Sequence, residues 1–338
     1  MLNIIIEIWE IIFIFLRRDD IYNIIITCKQ FQILWTFVKQ IRFKSNITKS
    51  IVSTILKKAI HINKIVFDNN LYINKIISII PQTVQNISFF LYTNSSNKLI
   101  DEELKNLHEN IKKLKITYCN FISDEGLKYL PQNIQHLSII NCSLISNEGL
   151  KHLSQNIQKL NLSGCPLISN EGLKYLHQNI QQLSLINCSL ISNEGLKHLS
   201  QNIQYLDLSF CSLISNEGLK HLPRNITFLS IRGNKLISNK GLKLLPRTII
   251  NLNLSSCGNI SGKGLKYLPD SIQYLSLINC GLITDEGLKH LPRNIKKIDL
   301  HYTSVSDEGL KDLHNRNISF GYDTSFKKLE YYDDDNII

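Results

Sequence analysis

Residues 133–153 read NIQHLSIINCSLISNEGLKHL, and this string returns three more times in succession with few changes. The near-copies begin at Asn156, Asn179 and Asn202. Looser copies begin at Asn110, Asn225, Thr248, Ser271 and Asn294, so that all nine starts lie 23 residues apart. Degenerate copies occur near His61 and Thr83, and a partial copy begins at Asn317. A fixed period of this length is typical of a solenoid with one supersecondary unit per repeat.

Each unit is predicted to form a strand, a turn, a short helix and a return turn. In the quoted copy, Leu137 and Ile139 alternate with polar residues as in a strand with one buried face. Ser146 is suited to cap a short helix, in which Leu150 and Leu153 share one face. Stacked units would share one apolar core. Its positions in each unit are those of Ile134, Leu137, Ile139, Cys142, Leu144, Ile145, Leu150 and Leu153.

A glycine recurs inside the predicted helix of every unit from Gly126 to Gly309. Glycine in a helix interior costs roughly 1 kcal/mol relative to alanine. Its recurrence therefore predicts close contact between the helical turns of neighbouring units.

Seven of the eight cysteines occupy one position of the repeat, and Asn234 takes that position in one unit. Cys and Asn both donate hydrogen bonds, so these side chains are predicted to satisfy buried backbone carbonyls where the strand turns into the loop. A disulfide framework is the less favoured alternative, because such frameworks use irregular spacings. A metal site is also disfavoured, since the chain has no Cys-x-x-Cys pair. We expect no metal and no cofactor.

The string Cys-x-Leu-Ile-Ser/Thr-Asp/Asn-Glu-Gly-Leu-Lys, as at residues 280–289, resembles the cysteine-containing leucine-rich repeats of F-box proteins. The resemblance implies an α/β leucine-rich-repeat solenoid, with a parallel β-sheet on the concave face and short helices on the convex face. The predicted organisation is an F-box-like, all-α helical head at 1–45, a connecting helix or linker at 46–60, a solenoid of about eleven units at 61–322 and an acidic tail at 323–338.

The head resembles an F-box in the order and spacing of its apolar and acidic residues. This resemblance implies docking on a Skp-type adaptor, which joins a cullin scaffold. The residues at the adaptor-contacting or supporting positions are Ile8, Ile12, Phe13, Leu16, Ile21 and Cys28. Ile4-Ile5 stands where the family has Leu-Pro, and Phe31 where it has Trp. The alternative is that the head only caps the N-terminal end of the solenoid.

The apolar run at 4–16 contains Glu7 and Glu10 and precedes Arg17 and Arg18, which does not fit a secretory signal. It is also too short to span a bilayer. We therefore expect an intracellular protein, cytoplasmic and/or nuclear, that does not bind a membrane. The net charge of +10 is dispersed. Since a Glu lies three residues before most of the convex-face lysines, nucleic acid is not an expected partner.

The outward residues of the strands predict a target-binding strip on the concave face, because solenoids bind partners there and aromatic and Arg side chains dominate binding hot spots. The strip comprises Tyr205, Asp207, Phe210, Phe228, Arg232, Tyr274 and His301. No nucleophile with its base, metal ligand set or phosphate loop is evident, so we expect no enzyme. The favoured function is a non-catalytic substrate-recognition adaptor of an SCF-type ubiquitin ligase, monomeric within a larger complex. The alternative is a protein-interaction scaffold, including one that sequesters a protein, without a ligase link.

Overall fold

The computed structural model describes residues 39–43, 49–58, 61–68, 76–91 and 99–321. Within these residues, thirteen strands form one parallel sheet whose spatial order is the order of the chain. The strands are β1 Gln40–Phe43, β2 Lys64–Asp68, β3 Asn86–Phe90, β4 Lys113–Thr117, β5 His136–Ile140, β6 Lys159–Asn161, β7 Gln182–Ser184, β8 Tyr205–Asp207, β9 Phe228–Ser230, β10 Asn251–Asn253, β11 Tyr274–Ser276, β12 Lys297–Asp299 and β13 Ser319–Phe320. The chain thus advances by one strand per unit, as a solenoid does.

Short helices cover the other face of the solenoid. The α-helices are Lys49–Lys58, Asp101–Leu104, Asp124–Leu127, Asn147–Leu150, Asn170–Leu173, Asn193–Leu196, Asn239–Leu242, Asp285–Leu288 and Asp307–Asn315. The 3₁₀ helices are Ile77–Ile79, Asn216–His221 and Gly262–Tyr267. The sheet lies on one face and the helices on the other, which confirms the predicted leucine-rich-repeat solenoid. Of the predicted all-α head at 1–45, the structure describes only residues 39–43, and these include the strand β1.

One apolar core runs through the stacked units from Phe43 to Ile318. The strand leucines lie in register, with Leu160 between Leu137 and Leu183. These side chains are almost completely buried. Full burial of one such side chain contributes roughly 1.5–3 kcal/mol. Stacking therefore supplies the apolar burial that a single unit lacks.

The sheet begins at β1, one strand before the predicted start of the solenoid at residue 61. Phe43 of this strand stacks on Phe67 with ring centroids 5.6 Å apart, and Phe67 stacks on Phe89 at 5.3 Å. In the helix Lys49–Lys58, Val52 and Leu56 enter the same core. The described parts of 39–58 therefore pack as part of the solenoid.

The position of Leu144 was predicted to lie in the core, and this prediction is wrong. Leu144 is 46% exposed, whereas the next residue, Ile145, is fully buried. The chain is extended here and forms parallel bridges between units, such as that of Ser146 with Leu167. Successive side chains of an extended segment point to opposite sides. Only one of the two apolar residues can therefore face the core.

The repeated cysteines form a column of thiols that bond backbone carbonyls of the preceding unit, as predicted. The Cys188 thiol donates to the carbonyl of Leu162 at 3.3 Å, and the Cys211 thiol donates to that of Leu185 at 3.1 Å. Asn234 replaces the thiol with its side-chain amide, which donates to the carbonyl of Leu208 at 3.0 Å.

Burial keeps these thiols protonated. It raises the pKa of Cys165 and Cys280 to about 11 and that of Cys211 and Cys257 to about 12. The seven cysteines of the column are free and buried. They are therefore structural hydrogen-bond donors and poor nucleophiles at neutral pH.

A second column, of Asp and Asn side chains, joins the helical turns. Asn147 Oδ1 accepts the backbone N–H of Ser169 at 2.9 Å, while its Nδ2 donates to the Ser169 hydroxyl at 2.8 Å. Where the residue is Asp124, the hydroxyl of Ser146 donates to the carboxylate instead and accepts the N–H of Glu148 at 3.2 Å. The predicted serine cap is therefore made where Asp precedes it, but Ser169 makes no such bond. The reason is that the Asn amide donates to the Ser169 hydroxyl.

The same Asp and Asn side chains explain the recurring glycine. A Cβ atom placed on Gly172 would lie 2.5 Å from Asn147 Oδ1 and 3.0 Å from Leu150 Cδ1. At Gly149 the corresponding distance is 2.4 Å, to Asp124 Oδ1. The predicted close contact between neighbouring helical turns is thus confirmed.

We predict that Gly172→Ala destabilises the protein, although alanine favours helix by about 1 kcal/mol. The new methyl group would displace Asn147 and break its two bonds to Ser169, for a net loss of roughly 1–2 kcal/mol. Thermal unfolding followed by circular dichroism measures the effect. Gly258→Ala is the matched control, because a Cβ atom on Gly258 would meet nothing within 4 Å. Equal melting temperatures of the two variants would contradict the packing argument.

We predict that Asn234→Cys raises stability by about 1 kcal/mol. Asn234 Oδ1 is buried and has no hydrogen-bond partner within the described part of the chain. A thiol keeps a donor at this place and removes the unsatisfied acceptor. The reverse change, Cys211→Asn, should lower the melting temperature. The expected order of melting temperatures is Asn234→Cys above wild type and wild type above Cys211→Asn. The opposite order would show that the amide is the better donor at this position.

Candidate functional site

The outward side chains of the strands form columns that run along the concave face. In β8, Tyr205 and Asp207 flank the core residue Leu206. Register places Tyr205 beside Phe228, and Asp207 beside Ser230. Each column therefore presents one side chain per unit, about 4.8 Å from the next.

Three of the predicted target-binding residues form one aromatic cluster. The rings of Tyr205 and Phe228 stack with centroids 4.1 Å apart and planes 5° from parallel, and Tyr274 packs against them. Tyr205 is 6% exposed and Phe228 is 3% exposed, while Tyr274 is half-buried. Of these three residues, only Tyr274 presents a substantial surface to solvent.

Asp207, another predicted binding residue, is fully buried. Its Oδ1 accepts the N–H of Ser209 at 2.9 Å, and the Ser209 hydroxyl lies 2.7 Å from that of Ser230. Asp207 therefore organises the end of its strand, and we assign it no direct contact with a target.

Phe210 and Arg232 make an accessible cation–π pair. Phe210 lies in the turn after β8 with φ of 59° and is 44% exposed, so it is not in the strand columns. The guanidinium of half-buried Arg232 lies 5.4 Å from the ring centroid. A Cβ atom on Gly233 would lie 2.4 Å from the Phe210 ring, so the glycine makes room for it. This pair combines an apolar and a cationic surface, as binding hot spots often do.

His301 is the last residue, towards the C-terminus, of the predicted target-binding strip. Its Nδ1 lies 2.6 Å from Oδ1 of Asp299, and its side chain is 44% exposed while that of Asp299 is 2% exposed. The contact with the carboxylate orients the ring and leaves part of the imidazole exposed to solvent.

Basic residues occupy the N-terminal half of the concave face, which the sequence analysis did not assign to the site. We call this set the basic strip. It comprises Arg42, Lys64, Lys113, Lys115 and Lys159. Strands β1–β6 contain a single acidic residue, Asp68, which is in register with Phe90. The basic strip was not predicted because its first strands belong to degenerate copies of the repeat. Lys113 and Lys159 could have indicated it from the sequence, since both occupy the repeat position of His136 on the concave face.

Phe90 lies within the basic strip. The Lys115 ammonium is 4.9 Å from the ring centroid, and the Arg42 guanidinium is 5.7 Å from it. The ring is half-buried. The concave face thus carries positive charge around an aromatic residue at one end, and an aromatic cluster with one Arg towards the other.

Most of the convex-face lysines differ, because they form pairs with glutamates of their own helices, as predicted. Lys243 and Lys266 are exceptions, since a lysine stands three residues before each of them and both lie against the ring of Tyr267. Lys151 Nζ lies 2.7 Å from Glu148, and Lys197 Nζ lies 2.6 Å from Glu194. Such exposed pairs contribute little stability. They neutralise the row except in the two units where Lys240 and Lys263 replace the glutamate.

Other predictions concern residues or sites that the structure describes only in part. Ile8, Ile12, Phe13, Leu16, Ile21 and Cys28 of the head, and the acidic tail, lie outside the described residues. Among the residues described, no group of three or more His, Cys, Asp or Glu is placed to hold a metal ion. No helix in that part of the chain has the length and apolar character needed to cross a bilayer.

Comparison with known families identifies the repeat. A family model described as "Leucine Rich repeat" matches residues 108–130, 153–176, 199–222 and 223–245. The search of curated protein sequences finds no match.

Rad7 and TLR13, two proteins of known structure, share the fold at low sequence identity. Rad7, from its complex with Elc1 in yeast, is 13% identical with a TM-score of 0.51, and the match covers 86% of this chain and 82% of that one. TLR13, from its complex with ssRNA13, is 19% identical with a TM-score of 0.53, covering 79% of this chain and 43% of that one. The leucine-rich-repeat protein LegL7 of Legionella pneumophila is 19% identical with a TM-score of 0.42, covering 83% and 89%. The described residues therefore have the fold of a leucine-rich-repeat solenoid, and four stretches of the chain match the leucine-rich-repeat model.

Proposed function

We propose that this protein recognises a target protein on its concave face and presents it to an SCF-type ubiquitin ligase, without itself catalysing a reaction. The observation that carries the recognition step is the concave face itself, with its basic strip and its Phe210–Arg232 pair. A leucine-rich-repeat solenoid is a protein-interaction fold, and its varied columns make this face the selective one.

The charge of the concave face indicates the kind of target segment. Five Lys and Arg side chains lie on strands β1–β6, and Arg232 follows farther along. An acidic segment would be attracted to this surface, while an apolar or aromatic residue of the same segment would contact Tyr274 and Phe210. The target segment is therefore expected to be extended, acidic at one end and apolar at the other.

The ligase link rests on the head. Its resemblance to an F-box assigns Ile12 and Phe13 to the contact with a Skp-type adaptor, and through that adaptor the head would reach a cullin. Rad7, which shares the fold, was solved together with a second protein, Elc1. The rival function is an interaction scaffold whose head only caps the solenoid. Ile4-Ile5 in place of Leu-Pro favours this rival, since the proline shapes the turn against the adaptor.

We predict that Lys113→Glu/Lys115→Glu weakens binding of an acidic peptide at least tenfold, because the substitution reverses two charges of the basic strip. Fluorescence anisotropy with a labelled peptide of alternating Glu and Leu residues measures this, and added salt should weaken wild-type binding. The matched control is Lys151→Glu/Lys174→Glu on the convex face, which changes the net charge equally. Equal losses in both variants would mean that only the net charge matters and would remove the concave face as the site.

We predict that the full-length protein captures a Skp-type adaptor and a cullin from eukaryotic lysate, and that Ile12→Asp/Phe13→Asp abolishes the capture. The reason is that acidic side chains at apolar contact positions oppose docking. Immunoblotting detects both proteins. Arg232→Ala is the control, because a concave-face change should leave this capture intact. Failure of the wild-type protein to capture the adaptor would leave the scaffold function in its place.

A further inference from the structure

An exposed apolar stripe runs along the edge of the solenoid where the strands end. We call it the leucine stripe. It comprises Leu144, Leu167, Leu190, Leu213 and Leu236, which follow one another in successive units and are 46–53% exposed. Phe121 extends it at one end, Asn259 interrupts it at the other, and Leu282 lies beyond at 55% exposed. An apolar surface of this extent is often a site of interaction with another protein.

The surroundings of the leucine stripe are almost without charge. Eight successive turns, from 118–122 to 279–283, contain Lys235 as their one charged residue among forty, whereas 20% of the whole chain is charged. Exposed Tyr118 and Phe210 lie in the same turns. Loss of charged residues together with exposed aromatic and apolar side chains is the composition of an interface core.

The backbone holds the leucine stripe in a regular array. Parallel bridges join Ser146 to Leu167, and Ser169 to Leu190, so each leucine is tied to the unit before it. The fully buried isoleucine that follows each leucine anchors the turn in the core. The leucines are therefore spaced by about 4.8 Å, the distance between paired strands.

The spacing of about 4.8 Å between the leucines indicates which kind of partner can bind along the leucine stripe. A helix that contacts the stripe every 3.5 residues repeats at about 5.3 Å, and a strand repeats at about 6.6 Å, so both drift out of step along the array. A second copy of the same chain has the same period and stays in step over the whole length. A two-fold axis through Leu190 also superposes one curved solenoid on the other in the reversed direction, so curvature does not separate the two stripes.

We propose that two copies of this protein associate through their leucine stripes in an antiparallel, isologous dimer. Leu190 meets its counterpart at the two-fold axis, Leu167 meets Leu213 of the second copy, and Leu144 meets Leu236. The concave faces stay open, so the dimer presents two target sites. This arrangement differs from the monomer that the sequence alone favoured.

The size of the leucine stripe sets the strength of the dimer. Its length is about 24 Å from Phe121 to Leu236, and the contact buries on the order of 500 Å² per copy, below the roughly 800 Å² of a standard interface. The dimer is therefore weak, with a dissociation constant in the micromolar range. Both copies carry a net charge of +10, so added salt screens their repulsion and tightens the dimer. This response is opposite in sign to that of acidic-peptide binding.

Analytical ultracentrifugation of the full-length protein over a range of concentrations tests the proposal. We expect a monomer–dimer equilibrium that shifts towards dimer as the salt concentration rises. The Leu190→Lys substitution should raise the dissociation constant of the dimer at least tenfold, because it places two like charges at the two-fold axis. Tyr175→Lys, at an exposed position on the convex face, is the matched control and should dimerise as the wild type does. A wild-type protein that stays monomeric at about 100 μM, whatever else its stripe binds, overturns the proposal, as does a dimer that Leu190→Lys leaves intact.

Cross-linking separates loss of contact from loss of folding. In a Cys28→Ser background, Leu190→Cys adds one exposed thiol, while the seven buried thiols of the repeat stay unreactive. A short bis-maleimide should link Leu190→Cys to itself, because only a residue near a two-fold axis meets its own copy. Tyr175→Cys should give no dimer. Absence of the Leu190→Cys product at concentrations where the protein sediments as a dimer would overturn the antiparallel arrangement.

Discussion

Parallel strand pairing places successive units about 4.8 Å apart, and every other contact in the solenoid must fit that spacing. Asn147 does so because its amide reaches both the backbone and the hydroxyl of Ser169 in the next unit. Gly172 does so by leaving room for that amide. The thiol of Cys188 does so by reaching the Leu162 carbonyl of the unit before. Each of these contacts joins neighbouring units only, so stability accumulates unit by unit.

The unit at Gly262 shows that the spacing, and not a particular side chain, is what the structure preserves. Glycine here takes the place of the bridging Asp or Asn, and the hydrogen bonds of that side chain are lost. The backbone N–H of Gly262 donates instead to the carbonyl of Leu282 at 3.2 Å. A Cβ atom on Gly287 would then lie 2.4 Å from the Cα atom of Gly262. Two glycines thus let the backbones meet where a side chain elsewhere joins them.

Because the spacing is constant, the residues at one position of the repeat line up in a column on the surface of the solenoid. On the concave face the residues change from unit to unit, from Lys113 and Lys159 to Tyr205 and Phe228. A varied column suits one particular target, because each side chain meets a different part of it. Along the edge the residue stays leucine from Leu144 to Leu236. A uniform row suits a partner that has the same period, and a second copy of the chain meets this condition.

The sequence alone determined the repeat, the strand and helix of each unit, the thiol hydrogen bonds and the need for glycine, because each of these follows from periodicity and local chemistry. It also placed Tyr205, Phe228 and Tyr274 in one column. The tertiary structure decided which side of the chain each apolar residue faces. Leu144 and Ile145 are equally apolar neighbours, and only the path of the extended turn exposes the first and buries the second. It likewise showed that Asp207 is buried while Phe210 is accessible, and that Arg42 and Lys64 lie in the same strip as Lys113. The position of Arg42 and Lys64 depends on the register of β1 and β2 with the strands that follow, which periodicity does not reveal because these repeats have diverged. The burial of Asp207 and the exposure of Phe210 depend on the path of the chain where the strand turns into the loop.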